Sequence, residues 1–166
     1  MTTERDRDPA GRPRSARPRD ELGRPLPHGK DGVPGIPDDL ALSPAESLAL
    51  AQQLLDDGRA FQAHEVLELS WKAAPDAERE LWRGLAQLAV GLTHAQRGNL
   101  VGAARLLRRG ADRIQPWQPS PPHGIDIAGL RTWAAATADH LDGRSGRGEQ
   151  EPTDDLLPPR LTASRI

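Results

Sequence analysis

His64, Glu65 and Glu68 lie close together in the sequence, and with His94 they are the side chains of this chain best suited to chemistry. Imidazole and carboxylate together suit zinc, manganese or iron. His64, Glu68 and His94 are therefore candidate ligands of a divalent metal, with Glu65 or Glu78 as the base of a small metal-dependent hydrolase. The known patterns fit only in part. The run His64-Glu65-Val66-Leu67-Glu68 has a carboxylate where the metalloprotease helix motif needs its second histidine. The paired Glu-x-x-His units of di-iron bundles are also missing. Without cysteine, disulfides, thiolate metal sites and cysteine nucleophiles are excluded. No phosphate-binding glycine loop, Gly-x-Ser-x-Gly elbow or dinucleotide fingerprint occurs. The competing reading is structural: buried polar groups must be hydrogen-bonded, and such networks fix how helices dock. That reading needs no cofactor, and it is the one favoured here.

The candidates fall on two stripes. Phe61, His64, Glu68 and Trp71 recur at the spacing of one helix face. Arg83, Gln87 and His94 share a second, beside Gly84 and Gly91, whose missing side chains let a neighbouring helix approach closely. If the stripes face each other, His64, Glu68, Gln87 and His94 form a buried polar cluster, with Phe61, Trp71 and Trp82 packing around it. Glu78 and Arg79 read as helix-dipole complementation and a surface ion pair. Trp82 and Trp133 read as core or interface residues. Trp117 and His123 fall in a proline-rich connector, 116–124.

The elements that must carry these stripes are helices. Ser43-Pro44-Ala45-Glu46 is a capping box with proline at the first helical position. Leu48, Ala51, Leu54 and Leu55 follow at helical spacing until Gly58. A second helix is expected over 60–73. A third starts after Pro75, with Asp76 as cap and Leu81, Leu85, Leu88 and Leu92 on one stripe. A fourth spans 100–114, and a fifth runs from an Asp126 cap to about Gly143. No segment alternates as a strand does. Gly58-Arg59-Ala60-Phe61-Gln62-Ala63 with Leu67 is echoed by Gly98-Asn99-Leu100-Val101-Gly102-Ala103 with Leu107. In each copy a helix closes on glycine and the next presents a small residue at a crossing. The predicted fold is all-α: a compact bundle of about five helices, made of two antiparallel, tetratricopeptide-like hairpins and a C-terminal helix.

Phe61-Gln62-Ala63-His64-Glu65-Val66-Leu67-Glu68, Trp71, Glu78-Arg79, Gly84-Leu85-Ala86-Gln87-Leu88-Ala89-Val90, and His94 with Arg97-Gly98-Asn99 stand in a familiar order. In this the chain resembles the "domain of unknown function 309" (DUF309) family, over about Ser47 to Leu141. The resemblance implies a compact helical bacterial or archaeal domain and carries no named biochemical activity. The sequence departs from the family pattern at Ser70, where an acidic or larger residue is expected, which implies a reduced acid network on that helix.

Composition bounds the rest. Of the 16 prolines in 166 residues, seven fall within 1–40 and only Pro75 lies between Ala45 and Gln115. Residues 1–40 are read as a disordered arm, 41–142 as the helical domain and 143–166 as a disordered tail, because the flanks carry too little apolar surface to offset their ordering entropy. The arm holds seven arginines between Arg5 and Arg24, but Glu4, Asp6, Asp8, Asp20 and Glu21 are interleaved with them. That mixture argues against a nucleic-acid tail and against a transit peptide. No apolar run reaches the ~20 residues of a membrane span, so a cytoplasmic protein is expected. Disordered arms on a hairpin-repeat domain favour a module that binds a protein or peptide partner, or pairs with itself.

Overall fold

The computed structural model describes residues 19–26, 32, 35–153 and 155–163, and among these the fold is all-α. Five α-helices follow one another: α1 (Pro44–Asp56), α2 (Ala60–Ala73), α3 (Asp76–Gln96), α4 (Leu100–Ile114) and α5 (Ile127–Gly146). Two short 3-10 turns, Gln115–Trp117 and Pro122–Gly124, join α4 to α5. Helix α1 opens on the capping box: Ser43 Oγ accepts the Glu46 N–H at 3.2 Å, and Glu46 Oε1 accepts the Ser43 N–H at 3.0 Å. Asp126 caps α5 through the Gly129 N–H. At α3 the expected cap is displaced by one residue. Pro75 holds the cap position without a side-chain bond, and Asp76 is the first helical residue, where its charge meets the helix dipole.

The two copies of the internal repeat form the same turn. Gly58 and Gly98 adopt φ values of +75° and +87°. Gly58 and Arg59 donate to Leu55 and Leu54, and Gly98 and Asn99 donate to Ala95 and His94. This is the bond pair that closes a helix on a left-handed residue. Gln96 Nε2 ties the turns together by donating to Gly58 O at 2.9 Å. The resulting hairpins, α1–α2 and α3–α4, stack through α2 against α3, and α5 packs on α4.

Helix α3 is the centre of this stack, covered by α2 on one side and α4 on the other. Leu81, Leu85 and Leu88 are fully buried there, with Leu67 from α2, Leu107 and Ile114 from α4, and Leu130 and Leu141 from α5. Each such side chain contributes roughly 1.5–3 kcal/mol over remaining exposed. Both glycines of the α3 stripe lie against α4. A Cβ on Gly84 would sit 2.6 Å from Ile114 Cγ2 and 3.3 Å from the Gly110 carbonyl, and one on Gly91 would sit 2.9 Å from Leu107 Cδ2.

The flanking segments also touch the domain. Helix α5 continues to Gly146, and Gly148 closes it at φ +78° with the same bond pair as the repeat turns. The Thr153 N–H then donates to Ala95 O at 3.2 Å. Residues 155–163, which composition places outside the domain, run back between its two ends. Trp133 Nε1 of α5 donates to Leu157 O at 2.9 Å, and Gln52 of α1 donates to Pro159 O and accepts the Leu161 N–H. Leu161 is buried in the core, and an antiparallel bridge joins Thr162 to Ile125. The first 18 residues of the arginine-rich arm lie outside the described residues.

Adding a methyl at Gly84 must push Ile114 out of its seat, which outweighs the helix propensity gained. Gly84→Ala is expected to lower the unfolding free energy by about 1–3 kcal/mol in urea denaturation. An increase would mean that α3 and α4 are not locked by this contact.

Candidate functional site

The structure separates the residues that the two stripes would have brought together. On α2, His64 Nε2 lies 3.5 Å from Glu68 Oε2, and Lys72 Nζ lies 3.4 Å from the other Glu68 oxygen. His94 turns elsewhere: its Nδ1 meets Asn99 Nδ2 at 2.8 Å. Asn99 Oδ1 already accepts the Gly102 N–H as the cap of α4, so the Asn99 amide nitrogen is the donor and His94 Nδ1 the acceptor. His94 thus secures the α3–α4 turn. Gln87 Oε1 accepts from Arg113 Nε of α4 at 3.0 Å, and Arg113 also pairs with Glu80. Arg83 stacks over the Trp71 ring at 5.6 Å and lies 3.6 Å from Glu80. The expected His64–Glu68–Gln87–His94 cluster is not formed, because α3 buries its apolar sides against α2 and α4 and its polar stripe is the ridge left over. Among the described residues, no three His, Cys, Asp or Glu side chains are grouped to hold a metal ion.

Glu78 is engaged in a contact the sequence did not suggest. Its Oε1 lies 2.6 Å from His123 Nε2 and accepts Trp82 Nε1 at 3.4 Å, while the His123 ring lies 5.9 Å from that of Trp82. Arg79 pairs instead with Asp76 at 3.5 Å. His123 adopts a left-handed φ of 58°, which aims its ring back at α3 and makes the 116–124 connector a docked element. Trp82 is buried at 2% exposure. Next to His123, an open cleft of about 740 Å³ is lined by Leu48, Gln52, Gly124 and Thr162 among others, and His64, Glu68 and His94 are not on its walls.

The outer face of α2 gathers the most unusual chemistry. Phe61 is touched by two guanidiniums, with Arg19 5.3 Å and Arg97 5.8 Å from the ring centroid, and by the His64 ring at 5.6 Å. Arg97, at the end of α3, donates through Nε to Leu22 O at 2.8 Å. Glu65 Oε2 accepts the Ile36 N–H at 3.3 Å. Residues 19–26 and 35–36 therefore lie across α2. Burial holds the His64 imidazole below its usual value, with the Glu68 charge opposing, and its Nδ1 is buried without a hydrogen-bond partner. Burial and the Arg97 charge lower His94 as well, whereas burial raises the Glu65 carboxyl. Ser70, the point of departure from the family pattern, turns inward and donates to Val66 O at 3.3 Å, so no acid extends the α2 face there.

The segment that builds this face also carries the relationship to known proteins. The family described as "Domain of unknown function (DUF309)" matches residues 48–106, from α1 into α4. Over this stretch the chain is similar to that family. The chain is also 48% identical over 56 residues to "Uncharacterized protein YpuF" of Bacillus subtilis (strain 168), a match covering 33% of this chain and 32% of that protein. The chain thus matches about a third of the relative's length. No solved structure matches. The DUF309 match holds Phe61, His64, Glu65 and Arg97 but neither residues 19–26 nor α5.

The depressed histidines give the helical domain a defined pH response. A histidine whose folded-state pKa lies below its unfolded value contributes stability above the usual 6.5, and that contribution is lost as pH falls from there towards the folded value. The urea midpoint is expected to drop between pH 7.5 and 5.5, and His64→Gln to flatten that drop. An unchanged slope in the variant would show that His64 is not held neutral by the fold.

Proposed function

We propose that this DUF309 domain is a cytoplasmic interaction module whose outer α2 face binds extended peptide, and that its buried polar contacts are structural. One observation carries the reading: a stretch of chain outside the helical repeats lies across α2 and is held by groups that the repeats supply. Arg97 bonds the Leu22 carbonyl and Glu65 the Ile36 amide. Backbone groups are present in any extended partner, so the same donor and acceptor serve a segment of another protein or of a second copy. The ring of Phe61 adds apolar area and a cation–π surface, worth about 0.5–2 kcal/mol for each well-placed guanidinium. A nucleic-acid partner is disfavoured, since Glu65 and Glu68 lie on this face beside the arginines.

The direct test screens a panel of unrelated linear peptides against the chain lacking residues 1–34. A subset of peptides is expected to bind in the micromolar range, and Arg97→Gln to weaken them about tenfold, as for loss of one charged hydrogen bond. A chain with intact helical circular dichroism that binds no peptide would sink the reading.

The same proposal requires no ion. Elemental analysis of protein purified without chelator is expected to give far less than one divalent metal per chain, with no change in a His64→Ala, His94→Ala variant. A near-stoichiometric metal lost in that variant would favour a metal-dependent hydrolase instead.

A further inference from the structure

We infer that the α2 face selects a turn of the form Arg-Asp-x-x-Gly-Arg, carried in cis by residues 19–24, and that Phe61 reads its glycine. The inference rests on the interaction reading above and names its ligand class.

Two independent features make the glycine obligatory. Gly23 has φ +74°, a conformation that other L-residues adopt only with strain, and a Cβ at this position would sit 2.2 Å from both Cγ and Cδ2 of Phe61. The first feature belongs to the turn and the second to the domain. An asparagine satisfies the first at small cost and still fails the second.

The rest of the turn prepares the glycine for the ring. Asp20 Oδ1 accepts the Leu22 and Arg24 amides at 3.0 and 2.9 Å, and Asp20 Oδ2 accepts Arg24 Nε at 2.8 Å. The Gly23 N–H donates to Asp20 O, the Asp20 N–H to Arg24 O, and an antiparallel bridge joins Arg19 to Pro25. Arg19 Nη1 bonds Gly23 O at 2.6 Å while its guanidinium sits over Phe61. The turn is largely ordered by its own atoms, which lowers the entropy lost on docking. The domain adds the ring and the Arg97 bond to Leu22 O.

Charge explains why an acid must accompany the arginines. Arg19, Arg24 and Arg97 are close enough that the first two disfavour the charge on the third, after burial as the larger cause, and Asp20 is the group that opposes them. Burial alone would raise the Asp20 carboxyl, but the Arg24 and Leu22 contacts outweigh it and hold the group below its usual range. A ligand with both arginines and no aspartate brings unbalanced positive charge to Arg97.

The test uses the full-length chain with Gly23→Ala, which releases its own turn, and a fluorescein-labelled peptide of sequence Arg-Asp-Glu-Leu-Gly-Arg-Pro-Leu. In anisotropy titrations the peptide is expected to bind this variant at least about tenfold tighter than the wild-type chain, whose cis copy competes. A peptide with alanine for the glycine is expected to bind well over tenfold weaker, since left-handed strain alone gives about tenfold and the Phe61 ring adds to it. Phe61→Ala added to Gly23→Ala should reduce the preference to the roughly tenfold that strain alone gives, with helical circular dichroism unchanged. Equal binding of glycine and alanine peptides, or no binding to the Gly23→Ala chain, overturns the inference. If linear peptides from the screen still bind the chain lacking residues 1–34, only the glycine selectivity has failed.

Discussion

The close approach of α3 and α4 through Gly84 and Gly91 is the constraint from which the remaining geometry follows. With a side chain at either position, Ile114 or Leu107 would be displaced and the helices would stand further apart. Seated as they are, α3 has only one further side for apolar contact, and α2 takes it. What remains of α3 is a narrow ridge of Arg83, Gln87 and His94. Long side chains on such a ridge reach whichever neighbour offers a partner: Trp71 for Arg83, Arg113 for Gln87, the Asn99 cap for His94.

This explains why the polar residues here behave as fasteners. His94 and Asn99 hold the second repeat turn, Gln96 links it to the first, and Glu78 draws the connector before α5 onto Trp82 through His123. Each joins two elements and leaves no ligand set converging on a common point among the described residues. The C-terminal segment acts in the same way at larger scale, joining α1 to α5 through Gln52 and Trp133 and seating Leu161 in the core. The outer face of α2 is different. Its Phe61 and Glu65, with nearby Arg97, spend their contacts on a segment beyond the repeats.

Much of the fold was legible because its signals are local. The Ser43 capping box, the left-handed glycines at 58 and 98 and the leucine stripe of α3 each act within a few residues, so spacing alone reveals them. The α2 and α4 limits follow from the same signals. The docking of residues 155–163 was not legible, since a short proline-containing stretch shows no periodicity and Leu161 is held in the core by bonds to Gln52 and Asp126, both distant in sequence. The partner of Glu78 was hidden for a similar reason: His123 is 45 residues away and is aimed by a single left-handed backbone angle.

By itself, the sequence determined the helices, their turns, the repeat that pairs them and the family resemblance carried by α2 and α3. Helical periodicity also placed Phe61, His64 and Glu68 on one face of α2, and Arg83, Gln87 and His94 on one face of α3. Periodicity defines a face and is silent on what the face meets. Only the tertiary structure decided that the α3 stripe turns outward and that the α2 stripe receives the chain's own arm, because that choice depends on which glycines let which helices approach.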